Sequence, residues 1–205
     1  MSRMLCAAIG LGLLAALICG CGGGGGGGGG ESSLPGTLTL SSEADLDGFA
    51  IANGTATHTI SGIIGDYHTN VQYRAFVSFD ISGMPSGATV DSAVLRIYQT
   101  GNDDGGYTLG SVKVDHVYYD TAVASAYDTP VLSAIEGTLS DAFSVGWKEI
   151  MVTSAVQDDV TNARGHSQFR LYHQTPTDSD GADDNDYWLL GNASVNQPEL
   201  VVTYH

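Results

Sequence analysis

Residues 74–98 read RAFVSFDISGMPSGATVDSAVLRIY and predict two β-strands joined by a turn. Residues two apart lie on the same side of a strand, so a strand with one buried face shows apolar residues at alternate positions. The alternating apolar residues are Ala75, Val77, Phe79 and Ile81 in the first half, and Ala93, Leu95 and Ile97 in the second. Pro85 and Gly87 lie between the two halves and predict the turn.

The same kind of pattern continues on both sides of this segment. From Leu38 to the C-terminus, about nine short strand-like runs are separated by turns rich in Gly, Asn and Asp. One helix is predicted over 153–163, with Thr153 or Ser154 as its N-cap, and a long loop over 120–146. A parallel α/β fold is disfavoured because helices do not alternate with the strands. The sequence therefore predicts an all-β fold, an antiparallel β-sandwich of the jelly-roll type with one short helix.

The N-terminus has the layout of a bacterial lipoprotein signal. An arginine precedes an apolar stretch, and Gly20 and Cys21 are followed by nine further glycines. A positive start, an apolar segment and small residues before a cysteine are typical of a signal that is cleaved at a lipid-bearing Cys. The expected organisation is a signal peptide over 1–20, a lipidated Cys21 opening a Gly/Ser-rich linker over 21–36, and the sandwich over 37–205.

Two alternatives stay open for this segment: a secretory signal that is cut without lipidation, and a membrane anchor. The apolar stretch is short for a span of ~20 residues, and no basic cluster follows it. Gly22 follows Cys21 in place of Asp, which resembles lipoproteins sent on to the outer membrane. We therefore expect an exported protein, lipid-anchored in the cell envelope at the outer membrane or cell surface, that meets the membrane only through its lipid.

The charge balance is strongly acidic. The chain has 23 Asp and Glu residues against 7 Lys and Arg, a formal net charge of −16. Such a surface repels nucleic acid, whose phosphates are bound by clustered Lys and Arg, and it favours divalent cations. All three cysteines precede residue 22, so the sandwich has none for a disulfide and depends on its core or on a metal.

Several short motifs occur in the order found in a known family. They are Arg74, Phe79-Asp80-Ile81-Ser82, Pro85, Ser92-Ala93-Val94-Leu95, Val152-Thr153-Ser154-Ala155-Val156 and Pro198-Glu199-Leu200-Val201-Val202-Thr203-Tyr204. With them the chain resembles the DNRLRE-domain family over most of residues 38–205. The resemblance implies a β-sandwich module of a secreted or surface protein, and some members of the family are classed as carbohydrate-binding.

Carboxylates crowd into a short segment near the C-terminus and make it a candidate metal site. The residues are Asp178, Asp180, Asp183, Asp184 and Asp186. Calcium takes six to eight oxygen ligands, including carboxylates and loop carbonyls, so a structural calcium ion is the expected cofactor. Asp45 and Asp47 resemble a position at which related sandwiches bind an ion. The alternative is a solvated acidic loop, and the spacing does not match an EF-hand.

Aromatic side chains supply the candidate ligand-binding residues. Sugar rings stack on flat aromatic faces, while nearby polar groups fix their orientation. The candidates are Tyr187, Trp188, Tyr67 and Tyr73. Trp188 has an alternative role as a core residue, because large aromatic side chains are mostly buried.

Catalysis is not predicted. The chain has no Gly-x-Ser-x-Gly motif and no cysteine beyond residue 21, so two common nucleophiles are missing. We predict a non-catalytic lipoprotein that binds a polysaccharide or cell-surface glycan and is stabilised by calcium. The alternative is a structural or adhesive surface protein that acts through protein–protein contacts or self-association. Exposed aromatic residues on a concave face favour the first function, and an unpaired apolar edge strand favours the second.

Overall fold

Antiparallel strands make up most of the described chain, which in this computed structural model comprises residues 35–52, 54, 56–57, 60–102, 107–120 and 123–205. The strands are β1 (Gly36–Ser41), β2 (Gly48–Ile51), β3 (Ala56–Thr57), β4 (Ser61–Tyr67), β5 (Val71–Asp80), β6 (Val90–Asn102), β7 (Val112–Val117), β8 (Ser133–Ala134), β9 (Gly146–Met151), β10 (His166–His173), β11 (Asp184–Leu189) and β12 (Glu199–Tyr204). The helices among these residues are α1 (Val123–Ala126) and α2 (Thr153–Thr161). The predicted signal peptide, Cys21 and the linker before residue 35 lie outside the described residues.

Hydrogen bonds join the strands into one sheet whose main path is β1-β12-β6-β11-β4-β5-β10-β7-β8. Beside this path, β2 pairs with β3 and β5, and β9 pairs with β6. The pairings are antiparallel. Strands near both ends of the path send side chains into one apolar core, so the sheet curls into two facing layers. The predicted all-β sandwich is confirmed.

The alternation within residues 74–98 is confirmed in β5 and β6. The predicted inward-facing side chains of these strands have no exposed surface, namely Ala75, Val77, Phe79, Ala93, Leu95 and Ile97. Phe76 points to the other side of β5, yet it is also fully buried, because its ring meets Tyr119 at 5.7 Å in a second, smaller apolar cluster. Side chains that follow β7 therefore cover the outer face of β5.

The sequence pattern does not predict β4 or β11. In β4, Gly62 and Gly65 interrupt the run of side chains that would mark a strand. β11 begins with Asp184, Asn185 and Asp186, residue types that are depleted in strands and typical of turns. Tertiary pairing of these two strands with each other overrides both local signals.

The predicted helix is present as α2, but its predicted N-cap is wrong. Val152 occupies the cap position, and no side chain caps this end. The hydroxyl of Thr153 instead accepts the N–H of Ala93 at 3.0 Å, because Thr153 already lies within the first turn and its side chain reaches β6. The loop predicted over 120–146 contains α1 and β8. Neither helix of the described chain has the length and apolarity needed to cross a membrane.

A buried carboxylate ties three segments of the sandwich together. Asp47, in the connection between β1 and β2, is 2% exposed. One of its oxygens accepts the N–H of Ser78 in β5 at 2.9 Å, and the other accepts the N–H of Gly191 at 2.7 Å. A Cβ at position 191 would lie 2.7 Å from the same carboxylate, so this close approach requires glycine.

Asp47 should make stability depend on pH. Burial raises the pKa of its carboxyl from 3.8 to about 7, so the folded protein retains a proton that the unfolded chain releases at lower pH. The stabilisation from this group is complete below about pH 4 and is lost as the pH rises through about 7. We expect the free energy of unfolding, measured with urea at about pH 5 and pH 8, to fall less between these two pH values in Asp47→Asn than in the wild type. Parallel pH dependence in the two proteins would contradict this assignment.

Candidate functional site

The pairing of β4 with β11 places two buried carboxylates opposite each other. Asp66 and Asp184 are partners in the ladder and are 1% and 3% exposed. Both carboxylate oxygens of Asp66, and Oδ2 of Asp184, lack a hydrogen-bond partner. Burial, together with the negative charges of Asp178 and Asp180, raises the pKa of both carboxyls. The buried, negatively charged surroundings therefore disfavour the ionised form of both carboxyl groups.

The loop before β11 brings further carboxylates to this pair. Ligand oxygens of Asp178, Asp180 and Asp184 lie within 4.8 Å of one another. The loop is shaped by its own side chains, since Asp178 accepts the N–H of Asp180 at 3.2 Å and Asp180 accepts the N–H of Ala182 at 2.7 Å. The structure therefore assembles three of the residues predicted to bind a metal. Asp66, which the sequence analysis missed, lies opposite Asp184 in the ladder, next to this group but not among the acids within 4.8 Å of one another. We call Asp66, Asp178, Asp180 and Asp184 the four-carboxylate cluster.

Two other acids of the predicted metal site have different partners. The carboxylate of Asp183 accepts the N–H of His68 at 2.5 Å. Asp186 is fully buried, and its Oδ2 lies 2.9 Å from Nε2 of His173. Asp186 lies on the same face of β11 as Asp184 but two residues, ~7 Å, further along the strand, which explains why the sequence cluster divides once β11 begins.

The second predicted ion position, at Asp45 and Asp47, does not form a cluster. Both oxygens of Asp47 accept backbone N–H groups, as described above, while Asp45 is exposed. Among the described residues, neither belongs to a group of three or more His, Asp or Glu side chains close enough to share one ion. Asp47 therefore acts as a link between backbone segments.

An exposed aromatic surface adjoins the four-carboxylate cluster at the end of β4. Tyr67 is 38% exposed, and its ring centroid lies 3.7 Å from that of His68 and 6.2 Å from that of Tyr73. Asp183 contacts His68 on the same surface. We call Tyr67, His68, Tyr73 and Asp183 the tyrosine patch. It combines rings for stacking with an imidazole and a carboxylate that can bond to hydroxyl groups.

The other two predicted aromatic contacts lie apart from the tyrosine patch. Trp188 is fully buried and packs in the main core, so the prediction of a sugar contact at Trp188 is corrected. Tyr187 is half-buried and lies opposite Ile63 and Gly101 in the ladder. Four residues of extended strand, ~13 Å, separate it from Asp183.

A second surface aromatic pair was missed by the sequence analysis. Tyr98 and Trp147 are ladder partners of β6 and β9, with perpendicular rings 5.5 Å apart. The guanidinium of Arg96 lies over the Trp147 ring at 4.9 Å and is paired with Glu149 and Glu199. The signal that could have identified this pair is alternation in β6, because Tyr98 follows the core position Ile97 and therefore faces outward, as does its ladder partner Trp147.

A third polar cluster contains serine, histidine and aspartate but is structural. His116 Nε2 lies 2.9 Å from Asp159, and its Nδ1 lies 3.4 Å from the Ser133 hydroxyl. Arg164 and Ser167 also donate to Asp159, at 2.9 and 2.6 Å. His116 and Asp159 have no exposed surface, so no substrate reaches the imidazole in this arrangement. The cluster fastens α2 to β7 and β10.

An antiparallel sandwich with polar and aromatic side chains on its surface has the architecture of a carbohydrate-binding module. The family model described as carbohydrate-binding module family 96 matches residues 52–204, and the chain belongs to this family. The match supports the carbohydrate-binding-module-like domain that the sequence resemblance implies, while the DNRLRE name stays a prediction. Families of such modules are typically non-catalytic. No curated protein matches the chain.

The β4–β11 pairing should depend on a glycine. Gly65 has a φ of +123°, and a Cβ there would lie 1.9 Å from the carbonyl oxygen of Asp184. Gly65→Ala should therefore lower the free energy of unfolding by more than about 2 kcal/mol, through backbone strain and steric overlap. The control is Gly83→Ala, where a Cβ meets nothing within 4 Å and the expected change is within about 0.5 kcal/mol. If urea unfolding showed equal losses of unfolding free energy in the two variants, this role of Gly65 would be contradicted.

Proposed function

We propose that this protein is a non-catalytic lipoprotein of the cell envelope whose sandwich binds a polysaccharide through the tyrosine patch. The observation that carries the proposal is membership of a carbohydrate-binding module family over residues 52–204. The binding surface lies within that range, since Tyr67, His68 and Tyr73 belong to β4, β5 and the turn between them. The proposed ligand is a polysaccharide or a cell-surface glycan.

The tyrosine patch meets the chemical requirements of sugar recognition better than the other aromatic groups. Tyr67 is 38% exposed although the His68 ring lies against it, and the side chain of His68 is 52% exposed. Trp147 is covered on one side by Arg96, whose charge is already paired with two carboxylates. A sugar at Tyr67 gains a stacking face and hydrogen-bond partners, whereas a sugar at Trp147 has to displace existing ion pairs.

Glycan binding should be weakened by removal of Tyr67. A screen of neutral and uronic-acid polysaccharides with the purified protein identifies the ligand, and titration calorimetry then measures its affinity. Tyr67→Ala should weaken binding by about tenfold or more, since an aromatic face contributes roughly 1 kcal/mol beyond its buried area and the area itself adds to this. Trp147→Ala is the matched control and should bind within about twofold of the wild type.

Failure of the wild type to bind any polysaccharide would overturn the proposed function. A loss of affinity in Trp147→Ala with none in Tyr67→Ala would overturn the placement of the site while supporting the function. Circular dichroism of each variant shows whether the sandwich is intact, because an unfolded variant would lose binding for another reason.

The cellular location rests on the N-terminal sequence. In a bacterial host, Cys21→Ser should move the protein from the membrane fraction to the soluble fraction, because the lipid-bearing thiol is gone. Cys19→Ser is the matched control and should stay in the membrane fraction with labelled fatty acid attached. Membrane retention of both variants to the same extent would contradict lipid anchoring through Cys21.

The second candidate function, self-association, is supported by one edge of the sheet. Among the described strands, β9 pairs only with β6, which leaves its other edge unpaired. Met151, Val145 and Phe143 on or near this edge are 55%, 58% and 41% exposed. An apolar unpaired edge is suited to strand addition by a second chain. Concentration-dependent assembly without glycan binding would favour this function over the first.

A further inference from the structure

We infer that the four-carboxylate cluster is a divalent-cation site of the kind that calcium occupies, with Asp66 as the ligand contributed by β4. The inference does not require that the protein bind a glycan. It rests on the burial and missing partners of Asp66 and Asp184, on the lack of a neutralising side chain among the described residues and on the chemistry of the assembled donors.

Asp66 is a buried carboxylate without a hydrogen-bond donor. Asp66 is 1% exposed, and neither of its carboxylate oxygens has a hydrogen-bond partner. The Thr177 hydroxyl and the Asp178 N–H lie close enough to lower its pKa, but neither meets hydrogen-bond geometry at these oxygens. Oδ2 of Asp184 is likewise buried and without a hydrogen-bond partner. An isolated buried charge is costly, and folded proteins leave few such groups without a partner.

The ladder itself brings like charges together. Directly opposed residues of an antiparallel pair have Cβ atoms roughly 5 Å apart, and like charges in that position are destabilising. Asp66 and Asp184 occupy such a position, and Asp178 and Asp180 add their charges from the loop. In the part of the chain that the structure describes, no Lys or Arg forms an ion pair with any of the four acids. A bound cation removes this repulsion.

The donors select a hard cation. All four side chains offer oxygen, and together they carry up to eight carboxylate oxygens, which suits the six to eight ligands of calcium. Hydroxyls of Thr177 and Thr108 lie beside Asp66 and Asp184 and are additional oxygen donors. Zinc prefers cysteine and histidine ligands in a tetrahedron, and neither residue type is in this group. Magnesium demands a stricter octahedron and gives up its water reluctantly, so calcium is the better match.

Calcium should stabilise the purified full-length protein after treatment with a chelator. At calcium concentrations about a hundredfold above the dissociation constant, the melting temperature should rise by about 5–10 °C, because the ion binds the folded state only. Titration calorimetry should give one high-affinity ion per chain. The same concentration of magnesium should give a smaller shift.

Three variants distinguish calcium binding at this site from non-specific attraction of calcium to the acidic surface. Asp66→Asn should abolish the calcium-induced shift and leave the calcium-free melting temperature equal to or above that of the wild type, since it removes repulsion. Asp180→Asn changes an exposed position, so it should fold and weaken calcium binding at least tenfold. Asp183→Asn is the matched control in the same loop and should keep the shift.

Any of three results would overturn the inference. The first is a melting temperature of the wild type that does not respond to calcium. The second is a shift of equal size in the wild type, Asp66→Asn and Asp180→Asn, which would mean that the ion binds elsewhere. An equal loss of the shift in Asp183→Asn and Asp180→Asn would also count against it, because non-specific attraction to the loop would then explain the effect.

Discussion

The pairing of β4 with β11 is the constraint on which the rest of the structure depends. These strands lie in the middle of the main path of the sheet, between the part that contains β12 and β6 and the part that contains β5 and β10. The fit is tight enough that Gly65 admits no side chain beside the Asp184 carbonyl. The same ladder places Asp66 against Asp184, so the join between the two layers is also where negative charge is buried.

The residues of the proposed cation site and of the tyrosine patch lie next to the β4–β11 pair. The β4–β5 turn carries His68 and Asn70, and both hold the acidic loop, through Asp183 and through the N–H of Gly181 at 3.1 Å. The proposed cation site and the proposed sugar-binding surface therefore share one turn and one loop. An ion bound to the loop would hold Asp183 next to His68 and so pre-organise the tyrosine patch, and binding is tighter when less ordering is required of the free protein.

The sequence was most informative where a strand has one buried face. Phe79 and Leu95 follow from alternation alone, because apolar side chains at every second position have few other ways to leave water. A carbohydrate-binding-module-like domain was implied by motifs that describe packing, and the family match supports that class of domain. Trp188 was misjudged as a sugar contact because neighbouring acids resembled a loop, whereas the pairing of β11 buries that ring completely.

The cation cluster could be predicted only in part. Asp178 and Asp180 are close in sequence and lie on one loop, so proximity along the chain was a sufficient guide. Asp66 is an isolated acid far from them in sequence, and only strand register brings it to the cluster. Asp186 is the opposite case. It is close in sequence to Asp180 and Asp184, but its side chain lies beside His173 in the interior. Register is a tertiary property, set by the packing of whole strands, and local patterns do not contain it.

The most direct test of this account is a crystal structure of the protein grown with calcium, with anomalous scattering used to locate the ion. The account predicts one strong peak between β4 and the acidic loop, about 2.3–2.6 Å from carboxylate oxygens that include those of Asp66 and Asp184. A structure with the same β4–β11 register but no peak at that position would contradict it.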